Sequence, residues 1–425
     1  MYDLGLVNGK VYKDGRFIET NVYVKEGKIK KITNERLDCT EIVDCNKNLV
    51  LPGFIDPHVH LNLHLGEFTS ADDYESGSIA AAFGGVTTFI DFLEPIIETE
   101  EFEEKLKQKM QEGNVKTLVD TILKSGLPSV KVFTTYSESN RKISYEKLME
   151  LLEYSKNSGI LVLVHAENDQ IILSSQFEDV VELYPYTRPP EAETIEVSKL
   201  ASLVEETGGK LYIVHLTCGT SIGTLSIDYY DLLNKNIFIE SCPQYFILNS
   251  EVYSNEEGYL YILAPPLRPK EEVIRLHESI NLISVIGTDH CPFTKADKQK
   301  YKEPSKIPKG LGSMEFSFPF MFWYFGTAII DKFTTNPAKL HGLFPQKGVI
   351  REGSDADLVI FDPNKEITIG VGHSKTDYNP YEGKTILGSV ESTILRGQFL
   401  VKDREFVGDE VKGKFLRRKL AKSIK

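Results

Sequence analysis

Four of the nine histidines in this 425-residue chain stand where imidazoles could act together. His58 and His60 lie two apart in FIDPHVH, and the period of two of an extended strand puts both on one face. His165 ends ILVLVH, His215 ends LYIVH, and Asp289 follows LISVIGT. Taken singly, a histidine at such a place is ordinarily a satisfied core or surface residue. Four imidazoles and a carboxylate, all at the ends of apolar segments, form the donor set of a divalent-metal site. Lys131, in SVKVF, has apolar immediate neighbours, and two readings of it are open. Its stem can pack in a wall while its tip reaches water. Alternatively, desolvation holds the amine partly neutral, and it captures carbon dioxide as a carbamate able to bridge two cations. Two dications held by four neutral imidazoles and one aspartate would otherwise be short of negative charge.

Groups at strand ends converge when the strands are parallel and close into a barrel, whose reactive residues sit at the C-terminal rim. The chain supplies such strands at 54–60, 87–92, 129–133, 160–165, 211–215, 236–241 and 282–287. Helical stretches lie between them, among them FEEKLKQKM (102–110), YEKLMELLEYSKN (145–157) and PEAETIEVSKLASLVEET (190–207). This alternation predicts an α/β fold, a (β/α)8 TIM-type barrel over residues 51–344. Residues 1–50 read instead as short strands, with Asn-Gly and Asp-Gly at two of the breaks. Strand character returns in IREGSDADLVIFD (350–362) and ESTILRGQFLVKDREF (391–406). A small β-sandwich domain made of 1–50 and 345–406 is therefore expected, with the barrel inserted into it and a basic tail at 407–425. The tail, with seven basic residues in 411–425, reads as a solvated segment or an oligomer arm. One irregularity stands out. Only 42 residues separate Thr87 from Ser129, where two βα units of about 30 residues each are needed. VKTLVDTILKSG (115–126) reads as a helix, so either VKTLV doubles as an abbreviated third strand or residues are lacking around Gly113 to Val115.

Composition narrows the class. A formal charge of −13 and a pI near 5.3 oppose a nucleic-acid binder. With 41% hydrophobic and 26% charged residues the chain can fill a sizeable core. Five cysteines without a CxxC pair fit a reducing compartment. The N-terminus lacks the basic and apolar regions of a signal peptide, and no apolar run reaches the roughly 18–20 residues of a membrane span. The cytoplasm is expected, with no membrane partner.

GFIDPHVH, the lysine of SVKVFTTY, LVHAEN, YTRPPEAE, IVHLTCG, ESCPQYF, APPLRP, GTDHCPF, NPAKLHGL and TDYNPYEGK follow one another in the order seen in the cyclic amidohydrolases. Over residues 1 to about 405 the chain most resembles the hydantoinase and dihydropyrimidinase branch of the amidohydrolase superfamily. The resemblance implies two divalent ions, usually zinc. His58, His60 and Asp289 would bind the more buried ion and His165 and His215 the more exposed one, with carbamylated Lys131 and a hydroxide between them. It also implies that Asp289 acts as base and then acid, and that Tyr136 hydrogen-bonds the developing oxyanion. At two substrate positions the chain departs from its relatives, with Ala264 in place of serine and Lys309 in place of asparagine; both act through main-chain groups in the family. The expected activity is metal-dependent opening of hydantoins and dihydropyrimidines to N-carbamoyl amino acids, by a homo-oligomer, dimer or tetramer, acting on a small cyclic ureide. Allantoinase is the alternative, then dihydroorotase, whose members place arginine where this chain has Asn62. The complete ligand set argues against the non-enzymatic relatives, which have lost ligands.

Overall fold

The computed structural model of the protein describes residues 1–92, 123 and 126–419. Both ends of the chain build one nine-stranded sheet. The N-terminal part contributes β1 (Tyr2–Lys13), β2 (Arg16–Lys25), β3 (Lys28–Thr33), β4 (Cys39–Asp44) and β5 (Leu49–Pro52). The C-terminal part contributes β15 (Leu358–Thr368), β16 (Thr385–Leu395), β17 (Gln398–Lys402) and β18 (Glu405–Phe406). Their order is β18-β17-β16-β15-β5-β1-β2-β3, with β4 also on β1. Of the two dipeptides read as breaks, Asp14-Gly15 is the hairpin turn, both residues having positive φ (49° and 77°). Asn8-Gly9 is not a turn. β1 runs through it with a bulge, pairing β4 along residues 2–7 and β5 at Lys10 and Val11. Glycine is needed there for close approach, since a Cβ on Gly9 would lie 2.6 Å from Val50 Cγ2. The bulge lets the sheet fork around a core that includes Leu4, Val11, Val24, Leu358 and Ile394.

Between these two parts lies the barrel. β6 (Phe54–Val59) is followed by a small hairpin, β7 (His64–Leu65) and β8 (Phe68–Thr69), and then by β9 (Val86–Asp91). β10 (Ser129–Phe133), β11 (Leu161–His165), β12 (Leu211–Ile213), β13 (Ile237–Ser241) and β14 (Val285–Ile286) pair side by side, all parallel. β6 pairs β9 in parallel, and a parallel bridge from Val59 to His290 joins β6 to the segment after β14. The described residues thus give seven barrel strands, with β9 and β10 at the two ends of the path. The helical stretch read at 102–110, and most of the one read at 115–126 with the alternative of an abbreviated strand at VKTLV, lie outside the described residues. The helices Tyr145–Ser158 and Pro190–Thr207 fall where the sequence puts them. Each ends at a glycine in the left-handed region, Gly159 and Gly208. β14 is shorter than the LISVIG segment because side chains take its backbone groups: Lys332 Nζ donates to the Ile283 carbonyl (2.5 Å) and Asn336 Nδ2 to the Ser284 carbonyl (2.8 Å).

Alternation decides what faces the barrel axis. Leu161, Leu163, Tyr212, Val214, Phe238 and Val285 form one buried cluster. By the period of two, His165, Glu240 and Asp289 continue the same inward rows toward the C-terminal rim. At the opposite end, the tail is not wholly solvated. Leu416 packs with Ile55, Ala338 and Leu343, and the Arg418 guanidinium reaches Ser129 Oγ at 3.3 Å.

The sheet is joined to the barrel by apolar and ionic groups together. Phe318 and Phe322 of the helix Ser317–Phe325 meet Phe361 of β15 edge-on at 5.1 and 4.9 Å. Beside them Lys347 Nζ is buried against Asp357 (2.5 Å) and Asp355 (2.9 Å). Lys347→Met should strand the Asp357 carboxylate without its cation, while Asp355 keeps Lys28 at 2.6 Å, and cost about 3–5 kcal/mol. Thermal unfolding should register this as a melting point lower by several degrees, and an unchanged one would mean that the pair contributes nothing net.

Candidate metal centre

The rim of the barrel gathers the residues that the spacing singled out. His58 Nε2 and His60 Nε2 each lie 3.1 Å from Asp289 Oδ1, and these three side chains can present one ligand atom each to a common ion. Lys131 Nζ is 2.8 Å from His58 Nε2. His165 Nδ1 is 3.0 Å from His215 Nε2, and the His58 and His215 rings are 5.5 Å apart. The four histidines, Lys131 and Asp289 therefore form one continuous cluster. His58, His165 and His215 are buried. Burial drives the pKa of all three below the ordinary imidazole value, for His58 and His215 far below it. Burial also lowers the Lys131 amine, against the opposing pull of Asp289 and Glu240. Burial alone would raise the Asp289 carboxyl, but His58 and His60 hold it well below the usual carboxylate range. Neutral imidazoles and an anionic carboxylate are what divalent cations take as ligands.

Three of the candidate residues sit in left-handed backbone: Tyr136 (φ 69°), His215 (φ 39°) and Asp289 (φ 51°). Non-glycine residues are uncommon there, and such strain collects at functional sites. At His215 the reason is visible. Tyr212 and Val214 are in the inward-facing cluster, so simple alternation would turn residue 215 outward, and the left-handed turn brings its ring back to the centre. The Glu240 carboxylate holds it, with Oε1 accepting from the His215 backbone N–H at 3.0 Å. Asp169 steadies the loop around Tyr136, accepting from Thr135 Oγ1 and the Ser137 N–H, both at 3.3 Å.

Several residues without an assigned role in the sequence orient these groups. Glu240 Oε1 lies 2.6 Å from His58 Nδ1, and Tyr212 donates to Oε2 at 2.7 Å. Glu167 Oε2 lies 2.6 Å from His165 Nε2 and also pairs with Arg188. A carboxylate on the outer nitrogen fixes the ring so that the inner nitrogen faces the site. Asp56 ties β6 to the segment after β14, taking Thr288 Oγ1 at 2.6 Å, and burial pushes its carboxyl up to about 7. Phe92 covers the cluster, its ring centroid 4.8 Å from that of His58 and 4.5 Å from Lys131 Nζ. The available signal was a carboxylate at an inward position of an apolar strand, as in IFIES.

Tyr136 adjoins the histidines, its ring 5.4 Å from that of His165. Lys309 is turned to its own loop, with Nζ donating to the carbonyls of Ser305 (3.0 Å), Pro304 (3.3 Å) and Ile307 (3.4 Å). Burial, aided by the Arg188 charge, lowers its amine to about 8. The loops of Ala264 and Lys309 are neighbours, since the Gly310 N–H donates to the Ile262 carbonyl at 3.1 Å. Asn62, exposed and also left-handed (φ 53°), follows the His58–His60 strand. All five cysteines are free thiols.

A parallel α/β barrel inserted into a β-sheet, with candidate ligands gathered at its rim, is the arrangement of a metal-dependent hydrolase class, and residues 49–400 match the amidohydrolase family. The chain belongs to that family. It is 34% identical to a D-hydantoinase of Geobacillus stearothermophilus over 456 aligned positions, covering 97% of this chain and 95% of that one. Among solved structures, that of a D-hydantoinase from a Bacillus sp. AR9 superposes with a TM-score of 0.90 at 29% identity, covering 99% of this chain and all of the other. The dihydropyrimidinase from Brevibacillus agri NCHU1002 gives 0.88 at 29% identity with the same coverage. Among the described residues no helix is long and apolar enough to cross a membrane.

Proposed function

We propose that the protein opens the ring of hydantoins and dihydropyrimidines by hydrolysing the cyclic amide bond, releasing N-carbamoyl amino acids. The observation that carries this reading is the convergence of His58, His60, His165, His215, Lys131 and Asp289 beside the Tyr136 phenol. The donor set fits two divalent cations, zinc being the usual occupant in the family, although imidazole and carboxylate ligands also accept manganese or cobalt. His58, His60 and Asp289 would hold one and His165 and His215 the other. Lys131 would join them after its neutral Nζ adds to carbon dioxide and releases one proton, which turns the amine into an anionic carbamate. When bound, the cations supply a Lewis acid for the ring carbonyl and lower the pKa of coordinated water.

The protein's own groups do the rest. The Asp289 carboxylate is anionic and takes the proton released when water attacks, then returns it to the ring nitrogen as the C–N bond breaks. The Tyr136 hydroxyl donates to the oxyanion, an interaction of about 3–4 kcal/mol if it matches other oxyanion donors. Main-chain groups at Ala264 and Lys309 hold the ring's polar edge. Asn62 carries no charge, so a dihydroorotate carboxylate would be buried without an arginine, at a cost of several kcal/mol. We place the enzyme in the cytoplasm as a dimer or tetramer.

Assays of the purified, metal-loaded protein on hydantoin, dihydrouracil, allantoin and dihydroorotate test this. Hydantoin or dihydrouracil should open faster than allantoin, and dihydroorotate poorly. If allantoin opens at least about tenfold more efficiently than either, the enzyme is an allantoinase.

A further inference from the structure

We infer that Arg188 is a positioning residue for the reaction, aiming the Tyr136 hydroxyl proton into the site; this rests on the reading of Tyr136 as oxyanion donor. Arg188 is buried. Its Nε donates to Glu167 Oε1 at 3.2 Å, its Nη2 pairs with Glu167 Oε2, and the same Nη2 donates to the Tyr136 hydroxyl oxygen at 3.3 Å. The guanidinium carbon also lies 5.0 Å from the centroid of the Tyr136 ring. A guanidinium has no acceptor, so in this contact the phenol can only accept. With its lone pair engaged by a cation, the phenol directs its single proton elsewhere, and the ring faces His165 at 5.4 Å. A positive charge behind the oxygen also makes that O–H a better donor to developing negative charge.

Two further observations support a placed arginine rather than a packed one. Its fork is held by Glu167, whose other bond is to His165 Nε2 (2.6 Å), so the same carboxylate orients a candidate ligand and the cation behind the oxyanion donor. Its backbone is held as well, because the buried Arg268 donates to the Arg188 carbonyl. Tyr136 itself sits in left-handed backbone (φ 69°), a conformation uncommon for a non-glycine residue and one that collects at functional sites.

The test is a double-mutant cycle on the metal-loaded enzyme, with metal content measured for every variant. Arg188→Met should lower kcat at least about tenfold and leave KM within about threefold, because the interaction strengthens in the transition state. In the Tyr136→Phe background the same substitution should cost less than about twofold, since the group through which it acts is gone. Arg188→Lys, which keeps a cation but not the fork, should restore part of the loss and covers the case in which the methionine variant folds poorly. An Arg188 effect that persists in full beside Tyr136→Phe overturns the inference, as it would then run through Glu167 and His165; so does a kcat loss matched by lost metal. A fully active Tyr136→Phe enzyme would instead remove the oxyanion assignment itself, a separate outcome.

Discussion

Lys131→Ala should fold and yet be without turnover. Its Nζ lies 2.8 Å from His58 Nε2 and 4.5 Å from the centroid of the Phe92 ring, so truncation removes a group in direct contact with the histidine cluster rather than a peripheral one. The remaining donors are neutral imidazoles and one carboxylate, too little negative charge for two dications at close range. Metal content should fall below two ions per chain, and kcat/KM by more than the roughly 10²–10³-fold that follows loss of a single oxyanion donor. Short-chain carboxylates added together with metal should restore part of the activity by standing in for the missing anion. Two ions per chain and full activity in this variant would mean that Lys131 is no ligand and that its amine merely packs.

Asp289→Asn is the sharper probe of proton transfer, and the backbone favours it. Asp289 has φ 51°, a conformation asparagine tolerates at least as well as aspartate, so the substitution should leave the loop as it is. One oxygen remains near His58 Nε2 and His60 Nε2, each 3.1 Å from Asp289 Oδ1 in the native protein. What disappears is the capacity to hold a proton. Turnover should fall about 10²–10⁴-fold, with metal content measured alongside to separate chemistry from binding. Near-normal turnover with the metal retained would assign the proton transfer to another group.

The positions of the candidate ligands were legible because strand geometry is local. His58 and His60 share a face by period alone, and Lys131, His165 and Asp289 lie at the rim because each ends or interrupts an apolar strand. The groups that orient them were not legible. Glu240 reaches His58 from a strand 182 residues away in sequence, and Arg188 reaches Tyr136 across 52. No pattern within either segment encodes that distance. His215 ends an apolar strand as the sequence shows, but the left-handed turn that brings its ring inward has no counterpart in the residue pattern. Asn8-Gly9 failed for a related reason: the dipeptide allows a turn or a bulge, and the choice was made by Val50 lying against Gly9. Where the third barrel strand was in question, the chain falls outside the described residues.

The pairing of β5 with β15, Leu51 opposite Val359, has a consequence for how the molecule is made. A ribosome adds about 5–20 residues per second, so the partner of β5 emerges roughly 15–60 s after β5 itself. During that interval the first five strands can assemble with one another, but one side of β5 presents free N–H and C=O groups to its surroundings. The barrel must form while its own platform is half built, and a pairing of such long sequence separation is slow to close even when both strands are available. A nascent chain is therefore most open to pairing with another copy of itself before residue 358 has left the ribosome.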